Sequence, residues 1–156
     1  MPKQPAKSRR ATWASKAKAT RKTLALRTTG VDETQWAACG LAWDVAVIAP
    51  LELGLQALDR LGADTDAGHP VLGDDVSGRL YVMVPAGTGD ALVDVSCVRV
   101  LSVGQQLLLP STPHGSVAAH WISAPGSELP QLLPADKLAT TLRGLTTAES
   151  ESVAAS

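Results

Sequence analysis

"LAWDVAVIAPLELGLQALDRLG", residues 41–62, changes its period at Pro50. Before the proline, apolar residues stand side by side rather than alternating, the pattern of a strand covered on both faces. A central strand is expected over about 41–48. After the proline, Leu51, Leu55, Leu58 and Leu61 recur three or four apart, with Pro50 at the entrance and Gly62 at the exit. That spacing predicts a helix. A single acid, Asp44, interrupts the otherwise apolar strand.

Working outward, "VLGDDVSGRLYVMVP" (71–85) contains two β-rich runs divided by Asp-Asp-Val-Ser-Gly, which predicts a hairpin. "CVRVLSV" (97–103) and "QQLLLP" (105–110) flank Gly104 and predict a second hairpin-like pair. "STPHGS" (111–116) reads as a loop, "AAHWISAP" (118–125) as a last strand and "PADKLATTLRGL" (134–145) as a closing helix. The order is strand, helix, hairpin, hairpin-like pair, strand, helix. This is an α+β plan in which one sheet carries helices on one side.

The chain of 156 residues, 45% hydrophobic, is long enough for one core without disulfides or a metal. Its net charge of −1 conceals a division. Residues 1–27 hold Lys3, Lys7, Arg9, Arg10, Lys16, Lys18, Arg21, Lys22 and Arg27 and no acid, so the remainder carries a formal −10. A basic arm over 1–27, a globular body over 28–145 and a small, polar, disordered tail over 146–156 are expected. The arm is disordered or partly helical. Trp13, Ala17, Thr20 and Leu24 fall on one side at helical spacing, but an isolated helix of that length is marginal in water.

Nine cations without counter-charge attract a polyanion, with binding that weakens as salt rises, so DNA or RNA is the expected partner. Trp13 is a candidate to stack on a base. The plainer reading of the arm is a solvated tail.

Cys39 and Cys97 show no metal-ligand spacing with each other or with His69, His114 and His120, so no disulfide, metal or cofactor is expected. No apolar run reaches the roughly 18 residues of a membrane helix, and no secretory leader is legible; a cytoplasmic protein is expected. "PAGTGD" (85–90) has the glycines of a phosphate cradle without the Lys-Ser/Thr of a P-loop, and reads as a turn.

Four stretches, "WDVAVI" (43–48), "SGRLYVMVP" (77–85), "CVRVLSVGQQLLLPS" (97–111) and "HWISAP" (120–125), stand in the order of a family pattern. Over roughly 36–145 the chain resembles the N-terminal domain of the bifunctional DNA primase/polymerase (prim-pol) family of actinobacterial plasmids, phages and integrative elements. The resemblance implies a prim-pol-like sheet with helices packed on it. It also implies that Asp44 occupies the first position of the family's D-x-D or D-x-E metal pair. The second position is Ala46, the motif histidine is replaced by Arg79, and the hairpin carboxylate by Cys97. Two divalent cations need oxygen donors on one wall, which a methyl and a thiol do not supply.

The expectation is therefore a degenerate copy that has lost nucleotidyl transfer and serves as a nucleic-acid-associated accessory protein beside a replication or mobile-element protein. Asp44 would be a remnant, or else a residue at an exposed point of the strand or the acceptor for a loop amide. Arg79, Arg99 and Ser111 are candidate nucleotide or phosphate contacts. The alternatives are a protein-interaction module built on the acidic body, and an active nucleotidyltransferase whose site is rebuilt from Asp74, Asp75, Asp90 or Asp94.

Overall fold

The computed structural model describes residues 12–26, 34–110, 115–116, 118–125 and 131–155. Lys3, Lys7, Arg9, Arg10, Arg27, His114 and Ser111 lie outside the described residues, as does the side chain of Arg21.

The expected strand and helix around Pro50 form β2 (Trp43–Ile48) and α2 (Leu51–Leu61). The Ala49–Pro50 peptide between them is cis. α2 buries Leu51, Leu53, Leu55, Ala57 and Leu58 and ends at Gly62, whose left-handed φ of 83° lets its N–H reach the carbonyls of Leu58 and Asp59. Gly54 allows the close approach of α2 to the sheet, because a methyl there would meet the Leu80 side chain at 2.6 Å.

Five strands form an antiparallel sheet in the order β5 (Val98–Leu101), β2, β4 (Arg79–Pro85), β3 (Val71–Asp74) and β7 (His120–Ser123). β3 and β4 make the expected hairpin, with Asp74 opposite Arg79. Its turn is built by the Asp74 carboxylate, which accepts from the N–H groups of Val76 and Ser77 and from the Ser77 hydroxyl.

The second expected hairpin does not form. β5 pairs with β2, whereas β6 (Gln106–Pro110) leaves the sheet and pairs antiparallel with β1 (Thr34–Ala38) as a separate ribbon. The turn explains the departure: Gly104 takes φ 89°, the Gln105 side-chain oxygen accepts from the Ser102 N–H, and the Gln105 carbonyl accepts from Cys39. These bonds tie the exit of β5 to the exit of β1 rather than closing β6 onto β5. The pair β2–β5 and the pair β1–β6 are thus two halves of one long ribbon, bent between residues 38–43 and 101–106.

Side chains alternate across a strand, so β2 serves two cores. Ala46 and Ile48 face the helices, joined by Leu80, Val82 and Val84 of β4 and by α2; Val45 and Val47 face the ribbon with Leu72, Met83, Leu101 and Leu107. Helices thus cover one face and the bent-over ribbon the other, in a mixed α+β fold.

α1 (Trp13–Leu26) belongs to the helix side. Thr12 caps it, its hydroxyl oxygen accepting from the Ser15 N–H. Trp13 is 0% exposed and Ala17 is buried beside it. The indole N–H donates to the Ala63 carbonyl, and the Trp13 backbone N–H donates to the Asp59 carboxylate. The described part of the basic segment is therefore docked on α2, and Trp13 is not presented for stacking on a base.

At the other end, α3 (Ala135–Ala155) packs Leu138, Ala139, Leu142 and Leu145 into the same core. It continues as helix past Leu145, where the composition suggests disorder; Ala, Glu and Thr carry it on with no glycine or proline after Gly144. No helix among the described residues is long and apolar enough to cross a membrane.

Candidate functional site

Asp44 lies at the N-terminal end of β2, on the helix face, and is 2% exposed. Its Oδ2 accepts hydrogen bonds from the N–H of Gly87 at 3.1 Å and of Gly89 at 3.0 Å; Oδ1 accepts from the Ser102 hydroxyl at 2.9 Å. The glycine loop at 85–90 is thus an anion cradle of convergent backbone amides, and the anion it holds is Asp44. Gly87 supplies a φ of 82° for the turn; at Gly89 a methyl would meet Asp44 Oδ2 at 2.9 Å and Val100 at 2.5 Å. Glycine at both positions serves the close approach of loop to carboxylate. Asp44 therefore accepts loop amides, as one sequence reading has it, and does not stand at an exposed point of the strand, because the loop closes over it. Its charge also reaches Cys39, whose thiol is pushed up first by burial and then by the nearby carboxylate.

The other positions of the expected metal site do not gather around Asp44. Ala46 shares its face but is fully buried in the helix-side core. Arg79 begins β4 at the far end of the sheet: Asp44 is opposite Val84, five residues along, which at ~3.3 Å per residue is roughly 16 Å. Cys97 precedes β5 at that same far end, where its carbonyl accepts from Ala49.

The loop acids are engaged elsewhere in part. Asp74 builds its turn, and Asp94 pairs with Arg143 of α3 at 2.6 Å, which holds its carboxyl below the usual range. Asp75 stands 3.9 Å from His120, and Asp90 is exposed. Among the described residues no group of three or more His, Cys, Asp or Glu is placed to hold a metal.

Arg99 faces the opposite side of the sheet from Asp44. It is opposite Val47, and residues opposite one another share a face, so it points to the ribbon side. There it lines a cleft of about 400 Å³ between sheet and ribbon, with Trp36, Leu72, Tyr81, Leu101 and Leu107. Arg79 and Arg99 are both exposed on this face. The cleft is the feature that sequence reasoning missed. Trp36 belongs to a strand without a legible pattern, and the cleft exists because the ribbon bends back.

On α1, Lys18 and Lys22 are exposed one turn apart, while Lys16 is half-buried and within 3.6 Å of Asp66. The described cations thus form a short basic edge fixed to the body.

The fold and site define a mixed α+β domain with an internally satisfied acid, a ribbon-side cleft and a basic first helix. Comparison with protein-family models, with curated proteins and with solved structures gave no match.

Proposed function

We propose that this chain is a nucleic-acid-associated accessory protein, a primase/polymerase-like domain in degenerate form that performs no nucleotidyl transfer. One observation carries the reading: nine cations and no acid in residues 1–27, against a body of formal charge −10. Such segregation concentrates attraction for phosphates at one end and repels them from the rest. The docking of α1 supports it, since Lys18 and Lys22 are held outward by the burial of Trp13 and Ala17. The engagement of Asp44 by three donors supports the noncatalytic part, because a carboxylate spent on a loop is poorly placed to bind an incoming cation.

The test is an electrophoretic mobility assay with single- and double-stranded DNA and RNA across a salt series. A shift at low salt that weakens steeply with added salt is expected. Lys18→Gln with Lys22→Gln should flatten the salt dependence on duplex DNA by about 0.9 in log–log slope per cation in contact. No shift at low salt would overturn the reading. Nucleotide incorporation with magnesium or manganese, lost in Asp44→Ala, would replace it with an active nucleotidyltransferase.

A further inference from the structure

From the cleft between sheet and ribbon we infer a binding site for a small amphipathic anion, an aromatic or aliphatic body carrying one carboxylate or sulfonate. This site is on the opposite face of the sheet from Asp44 and does not involve α1. Its volume of about 400 Å³ falls in the range of pockets that enclose small ligands. The floor is apolar, from Leu72, Leu101 and Leu107, and Tyr81 is half-buried in the wall. At the rim Trp36 is 65% exposed, an indole left in water beside an apolar recess.

Charge decides the class of ligand. Among the described residues Arg99 is the one cation lining the cleft, and its side chain makes no hydrogen bond or ion pair with them. Asp74 also lines the cleft, but its two carboxylate oxygens accept from the N–H groups of Val76 and Ser77 and from the Ser77 hydroxyl rather than from Arg99, so the guanidinium keeps its donors for a ligand. A guanidinium presents a planar fork of donors that matches a carboxylate or sulfonate in a paired arrangement. One guanidinium with free donors beside a largely apolar recess calls for one anionic group on an apolar body. A polyphosphate or an extended nucleic-acid strand fits less well, since one guanidinium matches one anionic group and the body as a whole carries a formal −10.

The test is a fluorescence titration of the full chain with two probes of similar shape, 8-anilinonaphthalene-1-sulfonate, which carries the anion, and N-phenyl-1-naphthylamine, which lacks it. Wild-type protein should bind both, the anionic probe more tightly. Arg99→Gln should weaken the sulfonate probe by about tenfold or more, as loss of a charge-assisted hydrogen bond implies, and leave the neutral probe within about twofold. Trp36→Ala should weaken both. Lys137→Gln, which removes an equal charge from the exposed side of α3, should change neither. Near-ultraviolet circular dichroism of each variant checks that the fold is retained. Equal affinity of wild type and Arg99→Gln for the sulfonate probe, or binding of neither probe to the wild type, would overturn the inference. A mobility-assay failure would leave it standing, because no residue of the basic segment lines the cleft.

Discussion

Trp13 and Ala63, fifty residues apart, are joined by a hydrogen bond of 2.9 Å from indole N–H to carbonyl. This bond makes the first helix part of the folded body. Deletion of residues 1–11 removes four cations and leaves the anchor; deletion of residues 1–27 removes the anchor as well. The shorter deletion should keep the thermal midpoint within a few degrees. The longer one, like Trp13→Ala, should destabilise by about 3–5 kcal/mol, the usual effect of removing a buried large aromatic. Urea unfolding of the three proteins checks this, and equal midpoints would show that α1 does not dock. The nucleic-acid binding proposed for the arm is therefore better tested with the shorter deletion.

Asp44 should matter to stability. Asp44→Ala leaves the Gly87 and Gly89 amides and the Ser102 hydroxyl without their acceptor, and should cost about 3 kcal/mol or more. Ser102→Ala removes a single donor and should cost about 1–2 kcal/mol. The effects should be less than additive, because both act on one network. Chemical denaturation of the two single variants and the double variant measures the coupling. A neutral Asp44→Ala would contradict the structural role.

Gly40 has φ 91°, and a methyl there would run into the backbone nitrogen of Val103. Gly40→Ala should therefore destabilise by about 2–4 kcal/mol, combining left-handed strain with a backbone clash. Gly104→Ala, with φ 89° but open space around it, should suffer only the strain, about 1–2 kcal/mol. Thermal unfolding ranks the two, and the opposite order would mean that the two turns are not in contact.

Arg143 depresses the ionisation of Asp94, first by a hydrogen bond and then by charge. A depressed folded value means that the pair supports the fold above the ordinary carboxylate range. That support is lost as pH falls below it towards the folded value. In Arg143→Gln the Asp94 titration, followed by NMR, should move back up towards 3.8. The unfolding midpoint should then depend less on pH in the acid range. Both groups are largely in water, so the change in stability at neutral pH should be small.

The elements that carry their signal locally were legible. β2 and α2 announce themselves through a change of period across Pro50, and the β3–β4 hairpin through its turn residues. The helical stripe of Trp13 and Ala17 was visible too, but its docking was not, since it depends on Asp59 and Ala63. The path of β6 was misread for a physical reason: branched aliphatics around Gly104 fit a closed hairpin and an open bend equally well. What distinguishes them is the bond between Cys39 and Gln105, which no local pattern records. The role of Asp44 was half legible. A lone acid in an apolar strand fits an exposed point or a loop-amide acceptor, and the donors that decide between them come from residues 43, 45 and 58 positions away.

The ribbon that leaves the sheet and returns over it behaves as a leaf folded at a crease, and Asp44 and Ser102 sit beside the fold line. The recess lies beneath that leaf, so the Ser102–Asp44 bond at the crease is expected to influence how wide its mouth stands, although neither residue lines it.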